Sequence, residues 1–229
     1  MWGPLWEMHG EQGDIFLQAD NLRTPALIVT VLAWGVLALS ALAALARLAW
    51  LIGYTQDAMM PGLLVTTQLL GLLSNLVFLL SVISVLVWTF IANANLHRAG
   101  ISGLNYSPGW ATFSFLIPIA NLFVPYRAMR ELANRSAGEP EEFAEADVNE
   151  VQAWWSPWLG SIFLGLFVTY TQIVDLIPRV FVTTPFWATE ALIVLTNIFV
   201  AASAYFLIKV VELVTNSQLE GISAVSVFE

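Results

Sequence analysis

Four stretches of this chain are long and apolar enough to cross a membrane as single helices, and they constrain the fold more than any other feature. A spanning helix needs about 20 consecutive, mostly apolar residues. Pro61, Pro178 and Pro185 separate the stretches where proline interrupts helices. The sequence therefore predicts an all-α integral membrane protein with four long transmembrane helices, which cover residues 26–52, 63–92, 155–177 and 186–214.

Composition supports this fold class. The chain is 58% hydrophobic and 11% charged, whereas soluble domains are about 45–50% apolar and about 25% charged. The net charge of −9 does not suggest nucleic-acid binding, which needs a basic surface. We therefore expect membrane lipids, and other membrane subunits or a second copy of the chain, as partners, and no nucleic acid.

The ends of the chain differ from the spans. Residues 1–25 contain several acids and no basic residue before Arg23, unlike a secretory signal, which starts basic. We expect this segment to be retained and to lie at the membrane surface. Residues 215–229 are expected to form a C-terminal tail.

A fifth apolar segment, residues 110–126, is shorter than the spans and is broken by proline. Pro118 and Pro125 lie within it, with Asn121 between them. Proline removes a backbone donor and disrupts the preceding turn. Backbone groups freed in this way are tolerated at membrane depth only against protein or water. The pattern predicts a re-entrant helix, or a distorted span packed inside the bundle.

The arginines favour the first alternative. Arg98 precedes the broken segment, while Arg127, Arg130 and Arg135 follow it. If the segment does not cross, all four lie on one side, which the positive-inside rule places in the cytoplasm together with both termini. If it crosses, Arg98 lies opposite the others. We prefer the four-span arrangement in the inner membrane of a bacterium.

An acidic loop, residues 136–153, follows the arginines. The simplest interpretation is a solvated surface, and the alternative is a docking surface for a basic partner. In the preceding segment, Arg127 is placed to pair with Glu131 or to meet lipid phosphates. The acids of the loop region are Glu139, Glu141, Glu142, Glu145, Asp147 and Glu150.

Several motifs around the broken segment resemble a known family. They are Trp88 to Gly100, Ser107-Pro-Gly-Trp110, Pro118-Ile-Ala-Asn-Leu122, and Met129-Arg-Glu-Leu132. Together with the Trp154-Trp155 pair, they are similar to a bacterial membrane family called domain of unknown function 4328. Ala133 departs from the family, which often has tryptophan there, and the basic extension of the second helix is thinner. The resemblance implies a multi-pass membrane protein and no particular activity.

Charged residues within spans are candidates for function. Arg47, Asp175 and Glu190 are predicted to lie near the non-cytoplasmic side. We expect Arg47 to pair with Glu190 or Asp175 as a structural ion pair, and a transport site is the alternative. Lys209 and Glu212 are three residues apart and are expected to pair at the interface.

The chemistry that the chain can carry is limited. It has no cysteine and two histidines, so a thiolate site or a multi-histidine metal site is not expected, and we expect no catalytic residues and no cofactor. The expected function is a non-enzymatic accessory or interaction subunit. The alternative is a small transporter or channel that uses the broken segment as site or gate, with a water-reachable cavity lined by Asn121, Ser114, Asn75 and Asn197. The candidate ligand or lipid contacts are Asn95, Arg98, Asn121, Arg127 and Arg130.

Overall fold

The structure is a computed structural model that describes residues 5–55, 61–175 and 184–225, without the side chains of 5–20, 54, 55, 61, 63, 64, 175 and 221–225. The described residues form α-helices joined by short turns and 3₁₀ segments. In chain order the helices are α1 (Leu5–Thr55), α2 (Pro61–Arg98), α3 (Pro108–Phe113), α4 (Val124–Ser136), α5 (Asn149–Asp175) and α6 (Phe186–Val225).

The four long helices correspond to the four predicted spans. Each is long and apolar enough to cross a membrane, over Asn21–Gly53, Val65–Arg98, Asn149–Val174 and Phe186–Glu220. The prediction of an all-α chain with four such helices is confirmed.

The helices extend beyond the apolar stretches. α1 begins at Leu5 and continues through Pro25, so the expected surface segment is helical over most of its length. α6 continues to Val225, through residues that the sequence assigned to the tail. The extension of α6 has a physical reason, because Thr215 and Gln218 on it are buried and hydrogen-bonded. Pro178, predicted to end the third span, lies outside the described residues.

The chain divides into two compact units. The first comprises Met1–Val31, Val82–Gln152 and Ile208–Glu229. Its buried residues include Trp88, Met129 and Leu132, each no more than 1% exposed, together with apolar residues of α1, α5 and α6. The broken segment and the acidic loop belong to this unit.

The second unit comprises Leu32–Ser81 and Ala153–Leu207. Its helices pack through small residues, since a Cβ added to Gly160 of α5 would lie 2.4 Å from the Phe199 ring of α6. Phe78 of α2 stacks on Trp158 of α5, with ring centroids 6.0 Å apart. Many large apolar side chains of this unit point outward, which is the pattern expected where lipid solvates the surface.

Candidate functional site

The broken segment folds as the short helix α3 and two 3₁₀ turns, and it leads into α4. Ser107 caps α3 by accepting a hydrogen bond from the Trp110 amide, 3.2 Å away, and Pro108 occupies its first turn. The 3₁₀ turns cover Ser114–Leu116 and Ala120–Leu122, on either side of Pro118. α3 then contacts α4, so the chain doubles back on itself.

Glu131 of α4 anchors the loop that leads into this segment. Its side chain is 1% exposed. Its two carboxylate oxygens accept hydrogen bonds from the amides of Asn105 at 2.8 Å and Tyr106 at 3.1 Å. Hydrogen bonds to a charged group are stronger than neutral ones. Glu131 therefore fixes the entry of α3 relative to α4, instead of pairing with Arg127 as the sequence suggested.

Arg130 holds the acidic loop against α4. Its Nη1 donates to Asp147 Oδ1 at 2.8 Å, and its Nη2 lies 3.8 Å from a Glu145 carboxylate oxygen. The guanidinium also lies 4.7 Å from the centre of the Tyr126 ring, a cation–π distance. Part of the acidic loop is thus bound within the chain.

Two further contacts fix the loops on α4. The Asn134 amide donates to the carbonyls of Ala144 and Ala146, at 3.1 and 3.0 Å. Arg135 donates to the carbonyl of Ser102 at 2.7 Å and to that of Glu139. The loops before α3 and after α4 are therefore tied to the same helix.

Tyr106 precedes the broken segment, Arg127 follows it, and their side chains are hydrogen-bonded to each other. Burial raises the pKa of Tyr106 above its usual value, and the Glu145 carboxylate raises it further. Arg127, which is hydrogen-bonded to Tyr106, opposes both effects on that pKa. Tyr106 therefore stays protonated at neutral pH.

Exposed apolar side chains cover the outer surface of the broken segment. Ile119 is 77% exposed, more than any other large hydrophobic residue of the segment. We call these residues the apolar strip; they are Trp110, Phe113, Leu116, Ile117, Ile119 and Phe123. Exposed apolar side chains of this kind are typical of surfaces that contact lipid or protein.

Beside the segment, α2 and α6 are joined by side-chain amides. Gln218 Nε2 donates to the Ala92 carbonyl and to Ser136 Oγ, both at 3.0 Å. Its Oε1 accepts from Asn95 Nδ2 at 3.3 Å. The Trp88 indole donates to Thr215 Oγ1 at 3.4 Å. Asn95 is thereby engaged between helices.

The five predicted contact residues do not share one pocket-like arrangement. Asn95 bonds to Gln218, and Arg130 bonds to the acidic loop. Arg127 is exposed beside Tyr106, and Arg98 is exposed at the end of α2. Asn121 Oδ1 is buried and accepts no hydrogen bond from any residue that the structure describes.

In the second unit, the structure brings Arg47 and Glu190 together. Arg47 Nη1 lies 3.1 Å from Glu190 Oε1 and 3.2 Å from Oε2. The Glu190 side chain is 7% exposed and that of Arg47 is 25% exposed. The Asp175 side chain lies outside the described residues. Lys209 and Glu212 pair at 2.9 Å on an exposed surface.

Some important residues were not identified from the sequence. Gln218 was assigned to the tail, although it lies four residues after Val214 and seven after Val211, both buried. That helical spacing was a usable signal. The local sequence suggests Arg127 as the partner of Glu131, because the two are four residues apart. The amides of Asn105 and Tyr106 come close to Glu131 only in the folded chain. Over the described part of the chain, no three acidic or histidine side chains are grouped to hold a metal ion.

Fold and composition together define the class: a helical protein of the membrane type, with four candidate spans and a short broken segment packed on an amphipathic helix. Residues 64–216 match the model of the family described as Domain of unknown function (DUF4328), and the chain belongs to that family. The match covers the broken segment, two complete candidate spans and most of a third. Comparisons with curated proteins and with solved structures find no match.

Proposed function

We propose that this protein is a non-enzymatic accessory or interaction subunit of the bacterial inner membrane, and that the broken segment is its contact surface. The observation that carries the proposal is the apolar strip on a segment whose other face is fixed to α4 and the loops. A rigidly held, outward-facing apolar surface suits binding to lipid and to other membrane subunits better than it suits chemistry.

The proposal includes a re-entrant topology for the segment. α3 is six residues long, about 9 Å at 1.5 Å per residue, far short of a hydrocarbon core of about 30 Å. Contact between α3 and α4 supports entry and exit at the same side. Arg98, Arg127, Arg130 and Arg135 then share the cytoplasm with the chain termini.

The cationic residues suit the membrane surface on that side. Arg98 and Arg127 are exposed, whereas Arg130 is held by acids of the loop. Exposed arginines next to an apolar strip can bond to lipid phosphates while the strip enters the acyl region. The strip and these two arginines together make the proposed contact surface amphipathic.

A small transporter or channel is the alternative, and the polar residues support it poorly. Asn197 donates to the Ile193 carbonyl of its own helix, and Ser114 donates to the Ala111 carbonyl. Asn75 lies on an exposed face of α2. A transport path would need such groups to face a common cavity.

The proposal is tested by native purification of the full chain from its own membranes in lipid particles, with mass spectrometry of the subunits that remain bound. We expect another membrane protein to co-purify at constant stoichiometry. The purified chain is also reconstituted alone in liposomes, where no ion or solute flux is expected. Flux by the chain alone, without a bound subunit, would contradict the proposal.

A pair of variants locates the contact. Ile119→Asp places a charge on the apolar strip at a residue that is 77% exposed, so it removes the contact without disturbing the chain's own buried core. Phe143→Asp changes an exposed aromatic of the acidic loop, 53% exposed, and serves as the matched control. We expect the bound subunit to fall at least tenfold for Ile119→Asp and to be retained for Phe143→Asp. Equal retention in both would rule out the broken segment as the contact.

A further inference from the structure

An exposed face of α2 carries amides at membrane depth that the chain itself does not use. Asn75 is exposed, ten residues after the start of the candidate span at Val65, or about 15 Å along the helix at 1.5 Å per residue. No residue in the described part of the chain hydrogen-bonds to its side chain. An amide in hydrocarbon without a partner costs several kcal/mol, so a lipid-facing Asn75 needs another explanation.

The neighbours of Asn75 form a regular seam. Gln68, Leu72, Asn75 and Leu79 are spaced i, i+4, i+7 and i+11, the heptad spacing with which helices pair. All are exposed, Leu72 by 68% and Leu79 by 59%. The same face therefore carries both amides and leucines. The buried Thr67 and Ser81 lie about 110° and about 150° around α2 from the centre of this face.

A second helix could also approach this seam closely. Gly71 lies next to Asn75 on the helix surface, and a Cβ placed on it would meet no atom within 4 Å. The packing of the chain therefore does not require glycine there. Small residues at such positions let the backbones of two membrane helices approach closely.

We propose that a second copy of this chain packs against the seam Gln68–Leu72–Asn75–Leu79 to form a parallel α2–α2 dimer. Copies of one membrane protein insert in the same orientation, so a two-fold axis along the membrane normal brings each residue opposite its counterpart. Asparagine and glutamine carry both a donor and an acceptor, so each amide complements its own copy. An amide within a heptad seam fixes register, and leucines on either side supply the packing. The dimer deepens the proposed interaction role by naming one partner.

The first test uses the absence of cysteine from the natural sequence. Leu72→Cys introduces a thiol on the seam, and Leu69→Cys introduces one at a residue of similar exposure, 68% against 61%, that faces about 60° or more away from it. Each full-length variant is oxidised in proteoliposomes at low protein-to-lipid ratio. We expect at least fivefold more disulfide dimer for Leu72→Cys. Equal cross-linking of the two variants would overturn the proposal.

The second test measures the dimer dissociation constant by fluorescence energy transfer between labelled copies in liposomes. Asn75→Leu keeps the size and exposure of the side chain and removes the amide, so the constant is expected to rise about tenfold, equivalent to about 1.4 kcal/mol. Gln172→Leu makes the same kind of change on an exposed face of α5 and is expected to have no effect. No difference between the two variants would contradict the proposal.

The outcome separates the dimer from the proposed subunit role. A chain that is monomeric in liposomes, yet co-purifies at constant stoichiometry with another membrane protein, overturns the dimer alone. A seam-dependent dimer that conducts solute overturns the accessory role and supports the dimer.

Discussion

At the residue scale, the protein relies on a few polar side chains that are wholly or largely buried. Glu131 accepts hydrogen bonds from two backbone amides of a loop that is more than twenty residues away in sequence. Arg47 and Glu190 pair across 143 residues of sequence. Removing one member of such a set leaves its partners buried and unsatisfied, which costs more than the contact itself contributes. These residues should therefore dominate the stability measurements.

Glu131→Ala is expected to lower the free energy of unfolding by about 3 kcal/mol, because two charge-assisted hydrogen bonds of about 1.5–3 kcal/mol each are lost and partly replaced by water. Glu131→Gln retains one acceptor oxygen and should lose about half as much. Unfolding in mixed detergent micelles, followed by circular dichroism, measures both. Glu142→Ala changes an exposed acid of the acidic loop and should stay within about 0.5 kcal/mol of the natural protein. Equal effects for Glu131→Ala and Glu142→Ala would contradict the anchoring role.

Two ion pairs in the chain, one largely buried and one exposed, allow the effect of burial on coupling energy to be compared. A double-mutant cycle with Arg47→Gln and Glu190→Gln is expected to give a coupling energy of about 1–2 kcal/mol, because Glu190 is nearly buried while Arg47 is partly screened. The same cycle on Lys209 and Glu212, both more than 40% exposed, should give less than about 0.5 kcal/mol. The same unfolding assay supplies the free energies. A larger coupling for the exposed pair would show that Arg47 and Glu190 do not form the structural ion pair described here.

At the element scale, the broken segment depends on turns that tie it to α4. Gly103 and Gly100 have positive φ angles, +71° and +69°, a region that other residues enter at a cost of about 1–2 kcal/mol. A Cβ on Gly103 would also lie 2.2 Å from the Glu141 carboxylate, whereas one on Gly100 would meet nothing within 4 Å. The loop before α3 is therefore crowded at one glycine and open at the other.

Gly103→Ala should lower the free energy of unfolding by about 1–2 kcal/mol from its backbone alone, with displacement of the Glu141 side chain in addition. Gly100→Ala should show the backbone effect only. Gly109→Ala, in the first turn of α3 with open space around it, should be neutral or slightly stabilising. Hydrogen exchange of the loop amides and the unfolding assay measure these effects. A destabilisation by Gly109→Ala as large as that by Gly103→Ala would argue against the backbone explanation.

The sequence predicted the long elements well and their ends less well. The four long helices follow from apolar runs bounded by proline and polar residues, and these signals are local. α6 passes the end of its apolar run because Gln218 and Thr215 find partners on α2 and α4, which a local pattern does not reveal. The break at Pro118 was predictable, whereas the contact of α3 with α4 depends on Glu131 and on tertiary packing. Among the candidate site residues, Arg47 and Glu190 could be paired from the sequence because both charges were expected near the same end of the spans.

At the scale of the whole molecule, the chain combines four candidate spans, one broken segment and two proposed contact surfaces. The apolar strip of the broken segment is the proposed contact with lipid and other subunits, and the α2 seam is the proposed contact with a second copy. The two surfaces belong to different compact units of the chain. Variants of one surface are therefore expected to leave the binding at the other unchanged.

The topology of the broken segment is tested most directly by labelling single cysteines in the full-length, naturally cysteine-free chain. Ser102→Cys and Glu142→Cys lie at exposed positions before and after the segment, and Gly62→Cys lies at an exposed position at the opposite end of α2. A membrane-impermeant maleimide is applied to sealed vesicles of each orientation. We predict that positions 102 and 142 react from the cytoplasmic side and position 62 from the other. Labelling of positions 102 and 142 from opposite sides would show that the broken segment crosses the membrane and would contradict the re-entrant topology.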